Sequence, residues 1–186
     1  TLRTASGRSE EESVTGLEAL TQMSLIMEVG PEEPPGNPVY DFSHEQLRSL
    51  VYDETSLARR RLLHRRVGEA LQTSSRRFRQ EASLAGLIAQ HLQLGGLERE
   101  AADYYYQAGE YARSVYANDE AIEQFRLALN SGYSNSATLH TAIGDLETLN
   151  GQYRSALRSY ESAAAGADPE NLAALEHKMG AVYHRL

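Results

Sequence analysis

The chain contains no cysteine, so it has no disulfide framework, no thiolate nucleophile and no cysteine metal knuckle. That absence fits a reducing cytoplasm, the expected location. Apolar runs are short and interrupted by charge, so no segment is expected to cross a bilayer. No secretory signal opens the sequence, and no G-x-x-x-x-G-K-[ST] phosphate loop occurs in it. Without that loop the chain is not expected to bind or hydrolyse ATP by itself, and it needs no cofactor. Proline is scarce, and four of the five crowd between Pro31 and Pro38. Proline fixes φ and removes a backbone donor, so residues 30–38 read as a loop.

Catalytic spacing is missing too. There is no HExxH, no close His-x-x-x-His and no nucleophile elbow, and no carboxylate pair stands out from solvated helix faces. His177 and His184 share a helix face, with His140 expected nearby, but such surface histidines are ordinarily polar contacts. No metal site is expected, and the chain does not read as an enzyme.

The net charge is −8, which argues against sequence-independent nucleic-acid binding. One stretch runs against it: Arg59, Arg60, Arg61, Arg65, Arg66, Arg76, Arg77 and Arg79 are opposed there only by Glu69. A phosphate patch is one reading; a solvated or interdomain helix face is favoured. No aromatic ladder interleaves the arginines, which argues against a single-strand groove.

What is present is a repeat. Gly109, Gly144 and Gly180 lie 35 and 36 residues apart. Ala121 and Ala156, Phe125 and Tyr160, and Ala128 and Ala163 each repeat at 35. A small residue sits in one helical segment and an Ala-x-x-x-aromatic-x-x-Ala stripe in the next. A period of this length marks helical hairpins that stack on their neighbours, small residues admitting close approach and rings filling the space beside them.

In chain order, residues 1–8 read as a frayed terminus. Ser9 and Glu12 have capping-box spacing and start a helix whose apolar side is Val14, Leu17, Leu20 and Leu25. Residues 26–29 and 39–42 read as two short strands around the proline loop. Ser43 and Gln46 suggest a second capping box, opening a helix through Leu47, Leu50 and Val51. Thr55 or Ser56 caps a helix over 57–72, which residues 73–75 break. Helices follow over 82–94, from 98, and over 118–130, 137–149, 153–165 and 171–185. Helix, strand, loop, strand is the closing half of a winged helix. A winged helix on DNA puts its second helix in the major groove; here that helix carries Glu10, Glu11, Glu12 and Glu18 and no Lys or Arg, so phosphate would repel it and DNA reading is rejected. Beginning at Thr1 and ending within a repeat, the sequence is expected to be part of a longer protein.

The residues Gly144, Gly151, Tyr153, Ala156, Tyr160 and Ala163 resemble a tetratricopeptide repeat. His140, Glu147 and one extra residue before Pro169 depart from its pattern. Upstream, Tyr40-Asp41-Phe42-Ser43-His44-Glu45-Gln46-Leu47-Arg48, the Arg60–Val67 run, Ala89-Gln90-His91 and Ala108-Gly109-Glu110 together resemble bacterial signal-transduction ATPases with numerous domains. That family includes large ATP-binding LuxR-type and antibiotic-pathway transcriptional regulators. The resemblance implies a mainly α fold: a partial winged helix with one β-hairpin over residues 1–55, then a tetratricopeptide-like solenoid over 56–186. It implies a regulatory or scaffold role beside an ATPase core that binds ATP or ADP outside this chain. His44 would be the counterpart of a histidine sensing the β-phosphate. The concave face would carry Tyr106, Glu110, Arg113, Thr141, Asp145, Thr148, His177 and His184, suited to a protein partner or small polar effector. The other reading is a stand-alone adaptor holding partner proteins.

Overall fold

The computed structural model describes residues 2–30, 39–78 and 80–186. The expected proline loop beyond Gly30, and Arg79 of the arginine stretch, lie outside them. Among the described residues the chain is mainly α, with ten helices and one two-stranded antiparallel sheet. The order is α1 (Leu2–Ser6), α2 (Glu10–Gln22), β1 (Ile26–Val29), β2 (Val39–Phe42), α3 (Glu45–Glu54), α4 (Leu57–Phe78), α5 (Glu81–Leu94), α6 (Glu98–Ser114), α7 (Asn118–Asn130), α8 (Ser136–Leu149), α9 (Tyr153–Ala164) and α10 (Pro169–Tyr183). No helix there is long and apolar enough to cross a membrane.

From α4 onwards each helix packs against the next. The same stop recurs at the turns. Leu97 N donates to Leu92 O, Ala117 N to Ala112 O, Tyr133 N to Ala128 O and Gln152 N to Glu147 O, at 2.8–3.0 Å. The residue before each donor is left-handed: Gly96, Tyr116, Gly132 and Gly151. This bonding closes a helix and reverses the chain in a few residues, so consecutive helices form hairpins. Tyr116, at φ 63°, holds a position that the other three turns give to glycine.

The core follows the sequence repeat. A Cβ built on Gly144 would lie 2.6 Å from Tyr160 Cε1, and one on Gly109 would overlap the Phe125 ring. Phe125, Ala121, Ala128, Ala156 and Ala163 are fully buried and Tyr160 nearly so. The two glycines therefore occupy matched environments, each roofed by an aromatic ring from the following helix. Gly180, third in the series, has nothing within 4 Å.

Several expectations are corrected. Residues 2–6 form α1, whose Ala5 is buried; Arg66 Nη1 donates to Ser6 O at 3.3 Å and ties it to α4. The Ser9–Glu12 capping box forms, but the one expected at Ser43 does not. Ser43 N donates to Leu25 O at 3.0 Å, and the N-cap of α3 is His44 without a side-chain cap bond. α4 runs unbroken through residues 73–75. Thr73 Oγ1 donates to Glu69 O at 2.9 Å and Ser75 Oγ to Gln72 O at 3.0 Å, so these hydroxyls bond back onto the helix they were expected to end. Neither α2 nor α3 buries a residue, so their apolar stripes lie largely uncovered.

α3 reaches the helical stack through a polar chain. Tyr52 Oη lies 3.3 Å from His64 Nε2, and His64 Nδ1 lies 3.0 Å from His91 Nδ1 on α5. The Arg60 guanidinium sits 4.8 Å from the centre of the Tyr52 ring. Arg65 donates to Gly95 O at the carboxyl end of α5, 3.2 Å away, where a cation complements the helix dipole.

Candidate functional site

A cleft of about 520 Å³ opens between α6, α8 and α10. α8 presents Thr138, Thr141 and Asp145 to it, spaced to share one helix face. α10 presents Asn171, Leu175 and Lys178, α6 contributes Arg113, and Asn135 stands at the entrance to α8.

The centre of the cleft is a closed polar cluster. Lys178 Nζ donates to both oxygens of Asp145, at 2.6 and 2.7 Å. Tyr160 Oη donates to Asp145 Oδ1 at 2.8 Å. Burial, together with the Asp145 carboxylate, pushes the Tyr160 hydroxyl up to about 12, so it stays a donor at neutral pH. Thr148 Oγ1 donates to Gly144 O at 2.8 Å and lies 3.3 Å from Tyr160 Oη. Lys178 is the only lysine in the chain. Three consecutive helices, α8, α9 and α10, thus meet at one carboxylate.

The other end of the face is aromatic and acidic. Tyr106 stacks on Tyr133 with ring centres 4.9 Å apart. Burial raises the Tyr133 hydroxyl, helped by Tyr106, Asp103 and Glu110. Arg113 Nη2 donates to Glu110 Oε2 at 2.7 Å.

Of the eight residues expected on the concave face, Arg113, Thr141 and Asp145 line the cleft. Glu110 bonds the lining Arg113, Thr148 lies beside Tyr160, which bonds the lining Asp145, and Tyr106 stacks on Tyr133, all three outside the cleft lining. His177 and His184 do not line it; both are exposed. The lining positions of α10 are those turned back towards α8, and the two histidines lie off that face. His140 lines a different cleft, and among the described residues no three His, Asp or Glu side chains converge as a metal site requires. His44 is exposed at the start of α3. Asn135, Thr138, Asn171 and Lys178 were not foreseen. The solitary lysine was the one available signal, because a residue type used once invites the question of what holds it. No family model matches this sequence, and no curated protein is significantly similar to it.

Proposed function

We propose that this chain is a non-catalytic regulatory or scaffold region of a bacterial transcriptional regulator. Its tetratricopeptide-like repeats, residues 56–186, take a protein partner or small polar effector in the cleft between α6, α8 and α10. The signal passes through the winged-helix-like residues 1–55 to an ATPase core outside this chain. The observation that carries the binding half is the cleft itself, concave, with hydroxyl, amide and paired charged groups on three helices. The Tyr52–His64–His91 contacts supply a physical link for the relay. An extended peptide suits the cleft best, since paired charges and amides satisfy main-chain groups along its length.

The single lysine makes the test direct. Reductive methylation with ¹³C-formaldehyde labels Lys178 and the amino terminus and keeps the charge. Peptides selected on the chain from a random library are then titrated against the label. The reading expects the Lys178 methyl signal to move with saturation and Thr141→Arg to abolish the effect. Selected peptides that leave that signal in place would refute the cleft as the binding surface. The relay half requires a phosphate loop encoded upstream of Thr1 in the same reading frame; a frame that starts near Thr1 would favour the stand-alone adaptor.

A further inference from the structure

The geometry points to a second site, for a compact dianion, phosphate or a small phosphomonoester, in a cleft of about 200 Å³ between α7 and α9 over α8. Two of its three helices, α7 and α9, do not line the first cleft, and α8 turns a different face to each. Arg126 stands on α7, His140 on α8 and Arg158 on α9, with the hydroxyls of Ser155 and Ser159 on the same wall as Arg158.

The floor is Glu147, 1% exposed. Arg126 Nη2 donates to its Oε1 at 2.8 Å and Ser159 Oγ to its Oε2 at 2.7 Å. A buried carboxylate is tolerated only when paired in this way. The pairing accounts for Arg126 and Ser159 but not for Arg158, His140 or Ser155, none of which bonds Glu147. Arg158 Nη2 donates to Ser155 Oγ at 2.9 Å, which leaves the Ser155 proton and the other Arg158 donors uncommitted. Arg126 has spent one donor on the floor and keeps the others.

Two guanidinium groups against one carboxylate leave a local charge of +1 on a chain whose net charge is −8. Donors arrive from three helices rather than from one plane. A tetrahedral dianion can accept from three directions at once, whereas a single guanidinium fork already satisfies a planar carboxylate. The size of the cleft admits a phosphate and a few further atoms, and the acidity of the whole chain excludes a polyanion.

The test is an NMR titration of the ¹⁵N-labelled chain with sodium phosphate at constant ionic strength, following the amides of residues 155–159 and the His140 ring. Saturable shifts with a Kd of about millimolar are expected. Arg158→Gln, which removes an exposed side chain bonded only to Ser155, should weaken binding about tenfold or more. Phosphoserine is run in parallel: tighter binding than phosphate assigns an esterified ligand, and equal or weaker binding assigns the free ion. Absence of saturable shifts, shifts unchanged in Arg158→Gln, or equal shifts with sodium acetate would overturn the assignment.

Discussion

Gly109 and Gly144 each lie directly under an aromatic ring of the following helix. An added methyl there has nowhere to go, because Phe125 and Tyr160 are buried on every other side. Gly109→Ala and Gly144→Ala should each lose roughly 1–3 kcal/mol, overpacking outweighing the gain in helix propensity. At Gly180 no ring is present, and Gly180→Ala should gain about 0.5–1 kcal/mol from propensity alone. Urea melts of the three variants check this, and equal effects at all three sites would contradict it. Tyr116 makes the complementary case. It is left-handed and 89% exposed, so Tyr116→Gly should raise stability by about 0.5–1 kcal/mol in the same melts. The glycine and ring pairs were legible from the sequence because an identical need recurs at fixed spacing. The strained tyrosine was not, since hydrogen bonding of the turn, and no glycine, sets its conformation.

Helix existence was legible at the element scale wherever small and apolar residues recur with helical period, as in α5 to α10. Stops and starts were legible only where one local signal acted alone. Ser9 capped α2 as its spacing predicts, but Ser43 commits its backbone N–H to Leu25 O beside the sheet, and the N-cap of α3 falls one residue later, on His44. Thr73 and Ser75 failed to break α4 because their hydroxyls found carbonyls one turn back. The junction of α3, α4 and α5 was not legible at all, since Tyr52, His64 and His91 meet only in the folded chain. That junction sets a pH dependence. Burial lowers the pKa of His64, with Arg60 adding to it, and burial lowers that of His91, with His64 adding to it. A Nδ1–Nδ1 hydrogen bond also requires one bare nitrogen. Both folded-state pKa values lie below the usual 6.5, so the unfolded chain binds more protons as pH falls. The junction's stability is complete above that value and is lost as pH drops through the folded pKa values. Urea midpoints measured from pH 8 to pH 5 should fall, and the double variant His64→Leu, His91→Leu should flatten that part of the slope.

At the scale of the molecule the core is unevenly spread. A continuous apolar cluster runs from α5 through α8, and a second joins α9 to α10 around Tyr160. α2 and α3 bury no residue; α2 touches α1, which packs on α4, and α3 meets the stack through the polar contacts of Tyr52. The sequence displayed the stack because a solenoid repeats its own instructions. It did not display which side of α10 would face α8, because that depends on how the final hairpin closes, and so Lys178 replaced His177 in the cleft. Local opening free energies track buried apolar contact. Backbone amides in α6, α7 and α8 should therefore exchange hydrogen only through global unfolding, whereas those of α2 and α3 should exchange at opening free energies of about 0–2 kcal/mol. The Lys178–Asp145–Tyr160 cluster ties α10 to α8 and α9, so Asp145→Asn should accelerate exchange in α10 while leaving α5 unchanged. Uniform acceleration across α5 to α10 would mean that the stack opens as one unit and that the carboxylate at the centre of the cleft holds no hairpin of its own.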